Sequence, residues 1–195
     1  MMNCMIAGVG GQGTVLASKL IAAAAMRKGF DVRTTETIGM AQRGGCVVSH
    51  VRIGSNISSP LIPLGSADAI IAFEPAEAVR VMPYLKEAGV LILMDTAVKP
   101  VASSLTGDSY RTSDMIDYLK EHVERLVVIN GQQLLTRCGN AKTLNVALLG
   151  TAIESGIFPF GNKELEEAIK ELLPQRFLEI NLTSFEIGRD MYNGN

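Results

Sequence analysis

Compact apolar runs alternate with helix-forming stretches along most of the chain. Residues 4–9 are an almost unbroken apolar run that leads into glycines, as expected of a strand buried on both faces. Residues 13–28, rich in alanine, leucine and lysine, favour a helix, and Gly29 is placed to stop it. Residues 32–38 are strand-like and β-branched. A strand, a glycine loop, a helix and a second strand predict a βαβ unit with a parallel sheet.

A glycine-punctuated loop, Gly39-Met40-Ala41-Gln42-Arg43-Gly44-Gly45, precedes a strand over residues 46–53. Its alternation puts Val47, Ser49, Val51 and Ile53 on one face and Cys46, Val48, His50 and Arg52 on the other. The second face carries two polar side chains and is free to meet water or a partner. Residues 55–68, with Pro60, Pro63 and Gly65, read as a loop. Residues 69–73 form a short buried strand. Pro75 suits the first turn of a helix that Glu74 and Glu77 would favour and Gly89 would end, and residues 90–95 are another buried strand. A helix capped by Ser113 fits residues 113–125, and a strand fits 126–130. Three helices, over 141–155, 163–173 and 177–189, complete the chain.

The resulting expectation is one α/β domain over residues 1–195. It would be a Rossmann-like open, mostly parallel sheet with helices on both faces and a helical C-terminal third. No repeat or low-complexity tract divides it.

Composition narrows the chemistry. The 195 residues are 47% apolar and 19% charged with a net charge of −2, a globular balance without the basic patch of a nucleic-acid binder. The amino terminus lacks a charged, cleavable leader, and the longest apolar run, residues 20–26, falls short of the ~20 residues that span a bilayer. A cytoplasmic protein that binds neither membrane nor nucleic acid is expected. Cys4, Cys46 and Cys138 are widely spaced and form no CxxC pair, and the two histidines, His50 and His122, add too little for a zinc site. No metal or iron–sulfur site is therefore expected on this chain.

Gly8-Val9-Gly10-Gly11-Gln12-Gly13 fits the GxGxxG pattern between a strand and a helix. Glycines admit backbone amides close to a phosphate, and a helix N-terminus adds partial positive charge. The pattern leaves three readings open. One is a tight turn without a ligand. A second is a dinucleotide site, for which Glu36 at the end of the second strand would hold a ribose. The third is an anion site for another phosphate-bearing cofactor, served by Gly10, Gly11, Gly13, Thr14 and the long stem of Lys19. No GxxxxGK[ST] motif is present, which disfavours ATP hydrolysis of that type.

Taken together, several motifs go further. The glycine loop with Ala17 and Lys19, the Gly39–Gly45 stretch and Val48-Ser49-His50-Val51-Arg52 resemble the gamma domain of pyruvate and other 2-oxoacid:ferredoxin oxidoreductases. Ser59-Pro60-Leu61-Ile62-Pro63, Ala72-Phe73-Glu74-Pro75, Asn140-Ala141-Lys142-Thr143-Leu144-Asn145 and Glu179-Ile180-Asn181-Leu182 resemble the beta subunits of the indolepyruvate branch. The resemblance covers nearly the whole chain.

It implies oxidative decarboxylation of an arylpyruvate to an acyl-coenzyme A and CO2, with electrons passing to ferredoxin. This chain would act as a subunit of such an enzyme, inactive alone. It has no cysteine array for clusters, and Gly107-Asp108 is followed by Ser109 where a thiamine-binding member carries a fuller magnesium motif. Thiamine diphosphate, magnesium and iron–sulfur clusters would then sit on a larger partner subunit. By the same resemblance Gly10, Gly11, Gly13, Thr14 and Lys19 would help hold coenzyme A. Met40, Gln42, Arg43, Gly44 and Gly45 would face the partner near its active site, and no residue here would be catalytic. His50 would be structural or interfacial and Cys46 buried rather than reactive. The alternatives are a stand-alone NAD- or FAD-binding oxidoreductase and a purely structural assembly subunit.

Overall fold

The computed structural model describes residues 1–38, 45–98 and 111–193. The described strands form one six-stranded sheet in the order β2-β3-β1-β4-β5-β6. The strands are β1 (Met2–Val9), β2 (Val32–Ile38), β3 (Cys46–Ile53), β4 (Ala67–Ala72), β5 (Leu85–Met94) and β6 (Arg125–Ile129). The α-helices of the described residues are α1 (Thr14–Arg27), α2 (Pro75–Val81), α3 (Thr112–His122), α4 (Gly131–Cys138), α5 (Leu144–Glu154), α6 (Asn162–Leu172) and α7 (Leu178–Asn193).

The open α/β architecture with helices on both faces is as expected. Five strands point one way and β3 alone runs against them. It is antiparallel to both β1 and β2, while the β1–β4, β4–β5 and β5–β6 pairs are parallel. The simple parallel βαβ opening is therefore corrected. The chain passes from β1 through α1 to β2, but the return strand β3 inserts between them. An apolar β1 needs hydrogen-bonded neighbours on both edges, and Val47, Val51 and Ile53 bring it an apolar face that continues its own.

One face of the sheet, with Cys4, Ile6, Val51, Ile71 and Ile92, packs beneath α1, α5, α6 and α7. The other, with Met5, Ala7, Ile70, Leu91 and Leu93, packs beneath α2 and α3. Along β3, Val47, Ser49, Val51 and Ile53 are buried as the alternation predicts and Cys46, Val48 and Arg52 are half-buried, but His50, on the same face as these three, is buried as well.

Several boundaries move for identifiable reasons. The segment after Pro75 does not stay helical to Gly89. α2 ends at Val81, Met82–Tyr84 makes a 3-10 turn around Pro83, and β5 starts at Leu85. Proline cannot continue the helical hydrogen bonding. Gly89 lies inside β5 at a register irregularity, where an added Cβ would sit 2.6 Å from the Leu85 side chain and 3.0 Å from the Ala67 carbonyl oxygen. Ser113 is not a cap: α3 starts at Thr112 after Arg111 without a side-chain cap, and the Ser113 hydroxyl reaches Asp114. Helix α4 was not anticipated. Asn130, read as the end of a strand, instead caps α4 by accepting from the Gln133 amide at 2.7 Å, and Gly139 closes the helix in the left-handed region. Those two residues are the sequence signal that could have found it.

Candidate functional site

The glycine loop emerges at the carboxyl end of β1, where the sheet order reverses: α1 leads to β2 on one side of β1 and β4 lies on the other. Such a switch point opens a crevice in parallel sheets and commonly takes ligands. Here the Gln12 side chain closes it. The Val9 amide donates to Gln12 Oε1 at 2.8 Å, and Gln12 Nε2 donates to the Phe73 carbonyl at 3.1 Å, bridging the ends of β1 and β4. Gly8 makes room for this arrangement, since a Cβ there would lie 2.7 Å from Gln12 Oε1. The side of the loop left open is its outer surface, against the start of α1.

That surface suits an anion. Gly11 (φ 103°) and Gly13 (φ 79°) are left-handed, and Gly13 caps α1 without a side-chain hydrogen bond. No acidic residue occupies the first turn. The first amides of α1 therefore keep their donors and the positive end of the helix dipole. Gly10 donates to the carbonyl of Gly45 at 2.9 Å, which ties the start of β3 to the loop. Lys19 is exposed about one and a half turns into α1 and forms no ion pair among the described residues. Thr14 is 3% exposed and turns its methyl group toward Gly8, so it shapes the loop from within. Met40, Gln42, Arg43 and Gly44 lie outside the described residues; Gly45 is the member of that stretch whose position is given.

The loop also has a partner that sequence reading missed. Asn145, on the first turn of α5, donates from Nδ2 to the Gly13 carbonyl oxygen at 3.3 Å. A Cβ on Gly13 would fall 2.4 Å from that nitrogen, so the glycine is required both by its backbone angle and by this contact. Asn145 is 4% exposed and its Oδ1 has no hydrogen-bond partner. Its motif stood in the sequence, but nothing local connected it to a loop 132 residues away.

Glu36, the candidate ribose acid, accepts from the Ser18 hydroxyl at 3.4 Å. Because β3 intervenes, Glu36 is two strands from β1, about 9–10 Å at ordinary strand spacing. A dinucleotide site needs that acid on the strand adjoining the loop. The sheet order therefore argues against the NAD or FAD reading.

Near Gly45, the Cys46 thiol lies beside the buried Glu77 carboxylate. Burial, and then this carboxylate, push the Cys46 thiol up to about 12, which keeps it protonated and unreactive. Arg80 Nε lies 3.3 Å from Glu77 Oε2 as an ion pair whose angles miss hydrogen-bond geometry. Glu74, 1% exposed, caps α2 by accepting from the Glu77 amide at 3.0 Å. Among the described residues no cluster of three or more His, Cys, Asp or Glu side chains could hold a metal ion. No helix of the described residues is long and apolar enough to cross a membrane.

His50 is structural. It is 5% exposed, and its Nδ1 accepts from the Ile62 amide at 3.2 Å, which fixes the neutral tautomer with its proton on Nε2. Desolvation lowers its pKa below the usual histidine value. Protonation would put a second N–H against that of Ile62. A depressed folded-state pKa means that this contribution to stability is present above pH ~6.5 and is lost as pH falls below it. The melting temperature is accordingly expected to drop between neutral and mildly acidic pH, and less so in His50→Gln. Parallel pH profiles for the two proteins would remove the assignment.

Comparison with known proteins defines the class. Residues 3–191 match the family model described as pyruvate ferredoxin/flavodoxin oxidoreductase, and the chain belongs to this family. Its particular relatives are narrower. It is 38% identical over 189 residues to indolepyruvate oxidoreductase subunit IorB of Archaeoglobus fulgidus, covering 96% of this chain and 93% of the relative. It is 35% identical to the subunit of the same name from Thermococcus kodakarensis, over 95% and 93% of the two chains. The gamma subunit of a keto/oxoacid ferredoxin oxidoreductase from Geobacter sulfurreducens shares the fold at a TM-score of 0.72 and 22% identity, with both chains fully covered. A 2-oxoglutarate:ferredoxin oxidoreductase from Magnetococcus marinus, solved with 2-oxoglutarate, coenzyme A and succinyl-CoA, contains the same fold at a TM-score of 0.72 and 21% identity. The match covers all of this chain and 31% of that one, so there the domain is part of a longer polypeptide.

Proposed function

We propose that this chain is the small subunit of a cytoplasmic, thiamine-dependent indolepyruvate:ferredoxin oxidoreductase, and that its glycine loop helps bind coenzyme A. The similarity to IorB subunits over nearly the full length carries the first part. The uncapped, acid-free start of α1 beside an exposed lysine carries the second. The partner is a larger subunit holding thiamine diphosphate, magnesium and iron–sulfur clusters, and ferredoxin receives the electrons. In the overall reaction a 2-oxoacid loses CO2, its acyl carbon joins the coenzyme A sulfur, the thiol proton is released and two electrons leave by one-electron steps.

The residues present fit a phosphate-rich ligand. The amides of Gly11, Gly13 and the first turn of α1 supply donors, Lys19 supplies charge, and the Gln12 bridge keeps the phosphates on the outer side of the loop. When bound, coenzyme A supplies the thiol that accepts the acyl group. This chain orients its phosphates and helps cover the partner's active site.

In the reconstituted complex, Lys19→Ala is expected to raise the KM for coenzyme A about ten-fold with little change in kcat. That is the size of one charge-assisted phosphate contact made equally before and during reaction. An unchanged KM in both Lys19→Ala and a Gly13 variant would mean that the loop binds nothing and the chain serves assembly alone.

A further inference from the structure

The face of β2 and β3 opposite α1 is bordered by the end of α2 and the turn Met82–Tyr84. Arg33 lies directly across from Arg52 in the β2–β3 register, so both point to this face. Arg80 stands at its border. Arg33, Arg52 and Arg80 make the face mainly cationic on a chain whose net charge is −2; the acidic groups beside it are Glu77, paired with Arg80, and the exposed Asp31, which borders Arg33 at the start of β2. Like charges directly opposite each other across a strand pair oppose folding, and here β3 already uses the Arg52 guanidinium to fix the 59–61 loop through the carbonyls of Ser59 and Leu61. Arg33 is exposed and keeps its charge at the surface.

A notch of about 260 Å³ opens in this face, lined by Thr37, Val48, His50, Arg80, Val81 and Tyr84. Several of its lining residues carry donors. The Ile62 amide occupies His50 Nδ1, so the ring's own N–H is on Nε2. Glu77 pairs with Arg80 through Nε, and the guanidinium, with its side chain 62% exposed, has terminal nitrogens to offer a second carboxylate. The Thr37 hydroxyl and the Tyr84 ring, set edge-on to His50 with ring centroids 6.0 Å apart, complete the wall. The acceptor beside it is the buried Glu77 carboxylate, which pairs with Arg80. The volume falls below the ~300–1,000 Å³ of pockets that enclose whole ligands, and the notch is open, so it fits a side chain better than a free metabolite.

We propose that this cationic face docks the larger subunit and that the notch receives an acidic side chain of that subunit. The proposal rests on the heteromeric reading above and adds to it the surface and the chemistry of contact. An arginine that pairs with its own buried carboxylate on one side and a partner's on the other would fix the register of docking and steer the encounter, which makes association salt-dependent.

The test uses the purified larger subunit under anaerobic conditions and measures its affinity for the wild-type chain and for Arg33→Glu and Arg80→Gln. The glutamine can still donate to Glu77, which guards the fold; circular dichroism and melting curves confirm it. Lys163→Glu, at the start of α6 on the opposite face, serves as the control. The expected result is that both variants bind about ten-fold or more weakly at low salt and approach the wild type at high salt, while Lys163→Glu binds normally. Folded variants that bind like the wild type at both salt levels overturn the docking face. So does a succinate-induced shift of the His50 ring signals in the isolated chain together with unchanged partner affinity, which would make the notch a small-carboxylate site. A wild-type chain that does not bind the larger subunit at all overturns the heteromeric reading itself.

Discussion

Gly188→Ala is expected to lower the melting temperature by about 4–8 °C, although glycine to alanine inside a helix ordinarily stabilises by ~1 kcal/mol. The sign reverses because α5 and α7 cross at this point with backbone against backbone. A Cβ on Gly188 would sit 1.7 Å from the Ala147 carbonyl oxygen and 2.6 Å from its carbon. From the other helix, a Cβ on Gly150 would meet the Phe185 carbonyl oxygen at 2.1 Å. Backbone cannot rotate aside as a side chain does, so the helices must separate. The Thr151 hydroxyl, 2.8 Å from the Gly188 carbonyl, would lose its acceptor, and Phe185 and Leu148 would lose packing. Overpacking of this kind costs on the order of 3 kcal/mol, more than the helix propensity returns. The check is a thermal melt beside Gly156→Ala, which carries the strain of a positive φ but meets no atom within 4 Å. A smaller loss at Gly188 than at Gly156 would refute the close crossing. The effect also reaches the site, because α5 carries Asn145: the coenzyme A KM should rise in Gly188→Ala even where the complex still assembles.

Gly13→Ala should have the larger functional effect. Its left-handed backbone costs an L-residue roughly 1–2 kcal/mol, and the new methyl would collide with the Asn145 amide at 2.4 Å. Displacing that amide breaks its bond to the Gly13 carbonyl, worth about 1 kcal/mol. A stability loss of about 2–3 kcal/mol is expected, with a rise in coenzyme A KM of ten-fold or more as the first amides of α1 turn away. The two causes can be separated. In an Asn145→Ala background the steric part disappears and only the backbone strain remains, so the two substitutions should couple by about 1 kcal/mol or more. Strict additivity would mean that Asn145 plays no part in the glycine requirement.

These two glycines show how unevenly the chain announces itself. Gly13 was legible as a loop residue from its place between an apolar strand and a helix-forming stretch, though its contact with Asn145 was not. Gly188 lay inside a helical segment with nothing to mark it, because its reason lies on another helix. The same division runs through the site. Lys19 and the loop could be read from local order, whereas the Gln12 bridge joins strands whose adjacency is a matter of topology. Glu36 was a fair ribose candidate by spacing and lost that role only when β3 was found between its strand and β1. The role of Met40, Gln42, Arg43 and Gly44 at a partner remains a proposal and falls outside the described residues.

The chain's own order of residues determined the alternation of strands and helices, the glycine turn that starts α1, the two-faced pattern of β3 and membership of the family. All of these depend on periodicity, turn chemistry or contiguous motifs, which act within a few residues of one another. Tertiary structure alone decided the insertion of β3, the early start of β5, the meeting of Asn145 with Gly13 and the cationic face of the β2–β3 hairpin. Strand pairing and helix crossing are settled by burial and by hydrogen bonds between segments far apart in the chain. A local pattern says which side of an element must be covered, but not which other element will cover it.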